Sequence, residues 1–225
     1  MRLTSRIKYD LSFCEKSAHT VDVGTDHGFL AVALIDHGIA ERVTATDLNK
    51  GPLSNAEKLI KWFALDDKID TKLTDGLKGV KGEDIDQVVI AGMGGELIAR
   101  IIDDSPLVKN ERVHLVLQPM TKIPDLRRYL AASGFRTLRQ GAVFDESHIY
   151  ETVTARYDGI KRVITPLEAE VGSNTEGSWS ALYELYDKKI AALEKRLIGA
   201  EKNDPEEAAL INELISQIKI RREEV

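Results

Sequence analysis

The chain has a single cysteine, Cys14, among its 225 residues. That scarcity excludes an internal disulfide and a cysteine-rich zinc site, and leaves Cys14 as a buried or half-buried small hydrophobe. Long apolar runs are missing as well: none approaches the roughly 20 residues that span a bilayer. The opening stretch, MRLTSRIKYDLSF, starts as an amphipathic helix with neither an apolar h-region nor a small-residue cleavage site. The expectation is a cytoplasmic protein with no membrane partner and no metal. A surplus of cations is also absent. The formal net charge of -6 argues against a uniform grip on nucleic acid, because non-specific phosphate binding scales with the cations offered. Local clusters remain: Arg2, Arg6 and Lys8; Arg127 and Arg128; Lys161 and Arg162; Lys219, Arg221 and Arg222. Each by itself reads as solvated helix surface.

What is present is 43% hydrophobic and 30% charged residues, the composition of a globular chain able to bury a core. From about residue 19 to 157, apolar runs of strand length alternate with helix-like segments. The strand candidates are HTVDV, RVTATD, IDTKLTD, DQVVIAG and VHLVLQP, followed by FRTLRQGAVFD and IYETVTARY. The first five are separated by helices and are expected to be mostly parallel and buried. The last two leave no room for a helix between them and must pair antiparallel at one edge. The predicted fold is α/β, a Rossmann-like seven-stranded sheet with an antiparallel edge hairpin, the class I methyltransferase variant of the doubly wound architecture.

Residues 1–160 form the expected catalytic part and 161–225 an expected helical, coiled-coil part. In ITPLEAEVG, Thr165 is placed to cap a short helix, with Pro166 first in it, Glu168 closing a capping box and Gly172 as a stop. Trp179, Leu182, Tyr186, Ile190, Leu193, Leu197 and Ala200 then recur at spacings of three and four. After KNDPEE, Asp204, Pro205 and Glu207 start a second helix whose stripe is Ile211, Leu214, Ile215 and Ile218. A helical hairpin with facing stripes follows, its first helix of about 24 residues projecting roughly 36 Å.

The turn VDVGTDHGFLA poses the chemical question. A dinucleotide fingerprint counted from Gly24 needs glycines where Asp26 and Phe29 stand, and a carboxylate beside pyrophosphate is electrostatically adverse. S-adenosyl-L-methionine has no phosphate but carries a sulfonium and an ammonium, which favour carboxylates such as Asp22 and Asp26. The turn resembles the methyltransferase motif D/E-x-G-x-G-x-G, with Asp22, Gly24 and Gly28 in place and Asp26 departing. In TATDLN, Asp47 ends a strand about twenty residues beyond Gly24, where an acid accepts ribose hydroxyls, and Leu48 follows it. In LTDGL, Asp75 and Gly76 end the next strand; an acid there commonly accepts the adenine amino group in methyltransferases, although a turn residue before glycine looks the same. In VVIAGMGGEL, Ala91, Gly92 and Met93 replace the polar and aromatic residues usual in enzymes that methylate exocyclic amines of bases. Glycines there let a flat ring approach the main chain, whose carbonyls at Ala91 or Gly92 are possible acceptors.

DVGTDHGFLA and IAGMGG, in that order and followed by LVLQP and a C-terminal helical hairpin, resemble the bacterial tRNA (adenine-N1)-methyltransferase family that modifies the adenine at tRNA position 22. The resemblance covers essentially the whole chain and departs from the family in having Gly28 where alanine is usual. It implies S-adenosyl-L-methionine as donor, tRNA as substrate and a catalytic domain followed by a coiled-coil domain. Adenine N1 has an in-plane lone pair, so alignment matters more than a strong base. Asp26 is the expected stabiliser of charge on the ring, His27 either bonds the base or fixes the turn, and Gln118, on the strand-end rim, reads the adenine edge or stabilises a turn. The hairpin, through Lys188, Lys189, Lys195, Arg196, Lys219, Arg221 and Arg222, is expected to hold RNA, or else to pack on the sheet or pair subunits, which leaves Arg2, Arg6 and Lys8 as the next candidates for the RNA. A small-molecule methyltransferase and a non-catalytic binding module that dimerises through the hairpin are the alternatives; the oligomeric state is left open.

Overall fold

The computed structural model describes residues 1–225. Eight strands form one sheet: β1 (Ser17–Val23), β2 (Ala40–Asp47), β3 (Ile69–Leu73), β4 (Ile85–Gly94), β5 (His114–Thr121), β6 (Phe135–Asp145), β7 (His148–Tyr157) and β8 (Thr175–Glu176). Their order is β3-β2-β1-β4-β5-β7-β6-β8. The five strands from β3 to β5 are parallel, and β7 runs antiparallel to both β5 and β6, as the alternation and the missing crossover helix require. The sheet corrects the expected seven strands by one. The two-residue β8 pairs parallel with β6 through Gln140–Thr175 and Gly141–Glu176, too short to carry any periodic signal.

The central strands are apolar on successive residues because both faces are covered. Val88 and Ile90 of β4 join Leu115 and Leu117 of β5 in one core, against Ile98 and Ile102 of α4 (Gly95–Asp103) and Leu126 and Leu130 of α5 (Ile123–Ala132). Val89 and Val116 point the other way, into a core with Leu11 of α1 (Ser5–Ser12), Leu30 to Ile35 of α2 (Phe29–Asp36) and Ile60 of α3 (Lys50–Trp62). Each fully buried Leu, Ile or Val contributes about 1.5–3 kcal/mol of transfer free energy, so the two faces together fix the register that aligns the strand tips. Thr4 caps α1 by accepting the Ile7 N–H, and Asp145 of β6 accepts the amides of Ser5 and Arg6 at 3.3 and 3.1 Å. The N-terminal helix is thereby tied across the strand ends.

The short helix α6 (Pro166–Val171) carries the expected capping box between Thr165 and Glu168 and ends at Gly172. Helices α7 (Trp179–Asn203) and α8 (Pro205–Glu223) form the hairpin. Leu182, Tyr186, Ile190, Leu193 and Ala200 face Ile211, Leu214, Ile215 and Ile218, and the base of this seam rests on Ala142 and Val171. Two details differ from expectation. Trp179 lies outside the seam, 62% exposed and stacked on Tyr183. Asp204 does accept the Glu207 N–H at 3.0 Å, but the Glu207 carboxylate pairs with Arg196 at 2.8 Å instead of closing a capping box. Arg127, expected on a solvated surface, is buried: it bonds Glu151 at 2.7 Å, Gln140 at 3.1 Å and the carbonyls of Ala169 and Glu170. No helix is long and apolar enough to cross a membrane.

Candidate functional site

A cavity of about 560 Å³ opens over the C-terminal tips of β1, β2 and β4, where the strand order reverses direction between β1 and β4 and ligands of doubly wound sheets bind. The turn after β1 is its floor. Gly24 sits at φ +73°, a conformation strained for any other residue, and a Cβ there would press on the flexible tip of Met93. The amides of Gly24 and Thr25 donate to the Thr46 carbonyl at 2.8 and 2.9 Å, locking the tips of β1 and β2 together. Asp26 follows in the left-handed region at φ +52°, a conformation that aspartate tolerates better than most residues. Its side chain is two-thirds exposed and lies 3.7 Å from His27 Nε2.

Asp22 is buried beneath this turn, where Thr25 Oγ1 donates to its carboxylate at 2.7 Å. Burial pushes the Asp22 carboxyl up to about 6, against the lowering effect of the Thr25 hydrogen bond. Asp47, at the tip of β2, accepts the Asp26 and Asn49 amides at 3.2 and 2.8 Å, and Leu48 beside it is 64% exposed on the rim. Asp75 and Gly76 line the far end. The Asp75 carboxylate is held by Lys78 at 2.6 Å, which lowers its pKa. On the opposite side Ala91, Gly92 and Met93 form the wall, with Gly92 at φ +78°.

Eleven of the thirteen residues expected at the site from sequence line this one cavity; Gly28 and Gln118 do not. Gly28 instead begins α2 at φ +77°, where a Cβ would meet the Ala56 backbone at 3.0 Å, so its role is close packing of α2 on α3. Gln118 is 1% exposed and accepts the Gly92 N–H at 3.2 Å, supporting the cavity wall from behind. The structure adds two residues not expected in this cavity. Arg6 and Asp10 of α1 line the cavity, and Asp10 is buried with Thr152 donating to it at 2.7 Å. Burial raises the Asp10 carboxyl to about 7. Arg6 belongs to the N-terminal basic cluster seen in the sequence, and its spacing of four from Asp10 puts both on one helix face.

Five aspartates, Asp10, Asp22, Asp26, Asp47 and Asp75, face this cavity against two arginines, Arg6 and Arg100. A wall of that sign repels a pyrophosphate and favours a cationic ligand. Asp22 in particular is a buried acid whose side chain has a hydroxyl but no cation as partner. The donor set therefore fits a phosphate-free nucleoside that carries positive charge, as S-adenosyl-L-methionine does.

Comparisons with known proteins agree. The tRNA (adenine(22)-N(1))-methyltransferase of Bacillus subtilis (strain 168) is 26% identical over 167 residues, 71% of this chain and 70% of that protein. A crystal structure from Streptococcus pneumoniae, described as a putative tRNA (m1A22) methyltransferase, superposes with a TM-score of 0.82 at 26% identity, covering 98% of this chain and 100% of that one. The same protein in complex with S-adenosyl-L-methionine superposes at 0.78 with the same identity and coverage. Residues 3–153 match the family model described as "Methyltransferase domain", well over half of the chain, and with the cavity at the switch point of the sheet this places the protein in that methyltransferase family.

Proposed function

We propose that the protein is an S-adenosyl-L-methionine-dependent methyltransferase acting on N1 of the adenine at position 22 of tRNA. The observation that carries the chemistry is the buried, cation-less Asp22 in an aspartate-lined cavity at the strand tips; the substrate rests on the similarity to the Bacillus subtilis tRNA methyltransferase. When bound, S-adenosyl-L-methionine supplies a methyl group activated by its sulfonium.

The chain's own residues have separable tasks. Asp47 holds the ribose hydroxyls with a charged acceptor, and its bonds to the Asp26 and Asn49 amides keep that acceptor oriented. Asp22 offsets the ligand's positive charge from beneath the turn. The bare wall at Ala91 to Met93 lets a flat base lie against the main chain, and Gln118 fixes the Gly92 amide in that wall. Adenine N1 lies on the Watson-Crick edge, so the base must leave its stack to enter. Methylation makes the ring cationic, and Asp26, exposed at the mouth, stabilises that charge as it develops, with His27 beside it. Residues 1–160 carry these tasks, and 161–225 form the coiled-coil part.

The test is to incubate the protein with labelled donor and unmodified tRNA, then digest the RNA to nucleosides. The label is expected in 1-methyladenosine, and a tRNA with guanine at position 22 should remain unlabelled. Label in another nucleoside, or label only in small molecules, overturns the assignment.

A further inference from the structure

The five aspartates account for a cationic ligand and leave Arg6 unexplained. Its guanidinium is half-buried on the cavity wall. Nη1 lies near Gly92, 3.8 Å from where a Cβ would stand, and donates to Gln118 Oε1 at 3.5 Å. The plane lies over the Tyr150 ring, 5.3 Å from its centroid. The one side-chain partner is thus a neutral amide. Asp145 of β6 is occupied by the main-chain amides of Ser5 and Arg6. Asp10, one turn along α1, is buried and accepts from Thr152 at 2.7 Å; burial raises its carboxyl against the lowering by the Arg6 charge, but the two side chains form no ion pair. A guanidinium placed on an aromatic face, with one neutral amide and no carboxylate on its fork, is ready for an oxyanion.

Position along the sheet says whose oxyanion it is. Asp75 follows β3, Asp47 ends β2 and Asp22 lies next to last in β1, and these three belong to the donor end of the cavity in the function proposed above. Arg6 lies beyond them, over Gly92 of β4, Gln118 of β5 and Tyr150 of β7. With the donor at the β1 to β3 tips, that side is the one left for the acceptor. A cation against the adenine ring itself would repel the charge that methylation creates, whereas the backbone of an extruded nucleotide brings a phosphate to the rim. We propose that Arg6 is a substrate-binding residue that grips an RNA phosphate flanking the target adenine, with Tyr150 and Gln118 as its positioning residues. This rests on the function proposed above.

The experiment measures equilibrium binding of unmodified tRNA over a potassium chloride series, and donor affinity by calorimetry, for the full-length protein and its Arg6→Gln and Arg6→Lys variants. Arg6→Gln is expected to weaken tRNA binding about tenfold or more and to reduce the logarithmic salt slope by about 0.7, the share of one phosphate on a single strand. Donor affinity should stay within twofold. Arg6→Lys should keep the slope but recover only part of the affinity, because it keeps the charge without the fork; this holds even if Arg6→Gln melts early by circular dichroism. Loss of donor affinity with unchanged tRNA binding would assign Arg6 to the donor's carboxylate and overturn the proposal, as would variants that bind both ligands like the parent. Wild-type protein in the same preparation must yield 1-methyladenosine; its failure to do so would remove the proposed function, while the binding series still reports on Arg6.

Discussion

At the scale of single residues, the carboxylates of the cavity divide by environment. Burial raises the Asp22 carboxyl to about 6, because it disfavours the charged form. A cationic ligand favours the ionised form and lowers that pKa on binding. Affinity for S-adenosyl-L-methionine should therefore be full above pH 7 and fall by up to about tenfold per unit as pH drops below 6; calorimetry between pH 5 and 8 reads this, and a flat profile would detach Asp22 from the ligand. Asp47→Ala should weaken donor binding by about 1.5–3 kcal/mol, the value of hydrogen bonds to a charged acceptor, provided circular dichroism shows the turn intact. Asp26→Asn should instead lower kcat at least tenfold and leave donor affinity within about threefold. A folded Asp26→Asn enzyme with full turnover at saturating substrates would remove Asp26 from the chemistry. Asp22, Gly24 and Asp47 were legible in sequence because each sits at a fixed offset from a strand end. Arg6 and Gln118 were not legible as a pair, since their contact joins positions 112 residues apart.

At the scale of elements, strands and caps were readable because their signals are local: valine and isoleucine runs, Thr165 with Glu168, the missing crossover before β7. Contacts that join elements were not. Arg127 looks like surface beside Arg128, yet the face of α5 that carries Leu126 and Leu130 turns it inward toward β7. There it meets Glu151, which Lys189 of α7 also reaches at 3.0 Å. Burial alone would raise the Glu151 pKa, but Lys189 and Arg127 together hold it below the usual range. This buried acid joins α5, β7 and α7 at the base of the hairpin, beside the apolar contact with Ala142 and Val171. Glu151→Gln should cost about 3 kcal/mol or more in urea unfolding, because it leaves two cations facing a neutral amide inside the protein. A loss below about 1 kcal/mol would mean that the hydrophobic base around Ala142 and Val171 holds the hairpin without it.

At the scale of the whole molecule, an acidic protein of net charge -6 must meet a polyanion through a few local groups. The sequence suggested the hairpin, with its seven lysines and arginines. In the structure most of these already have partners: Lys188 with Glu184, Arg196 with Glu207, Lys219 with Glu194, Arg222 with Asp187, and Arg221 with the Ser173 carbonyl. Exposed pairs of this kind are worth roughly 0–1 kcal/mol, so a phosphate can displace a carboxylate, but the local charge it meets is near balance. By contrast, Arg6 has no such carboxylate partner at the cavity. The tRNA salt dependence should accordingly be shallow, with a logarithmic slope of about -2 to -4, corresponding to three to five phosphates at roughly 0.7–0.9 each. Arg196→Gln should change tRNA affinity less than about threefold, since the Arg196 charge is already offset by Glu207 at 2.8 Å. A slope steeper than about -6, or a tenfold loss from Arg196→Gln alone, would show that the hairpin pairs open on the RNA and that the long helices, not the rim around α1, carry the electrostatic grip.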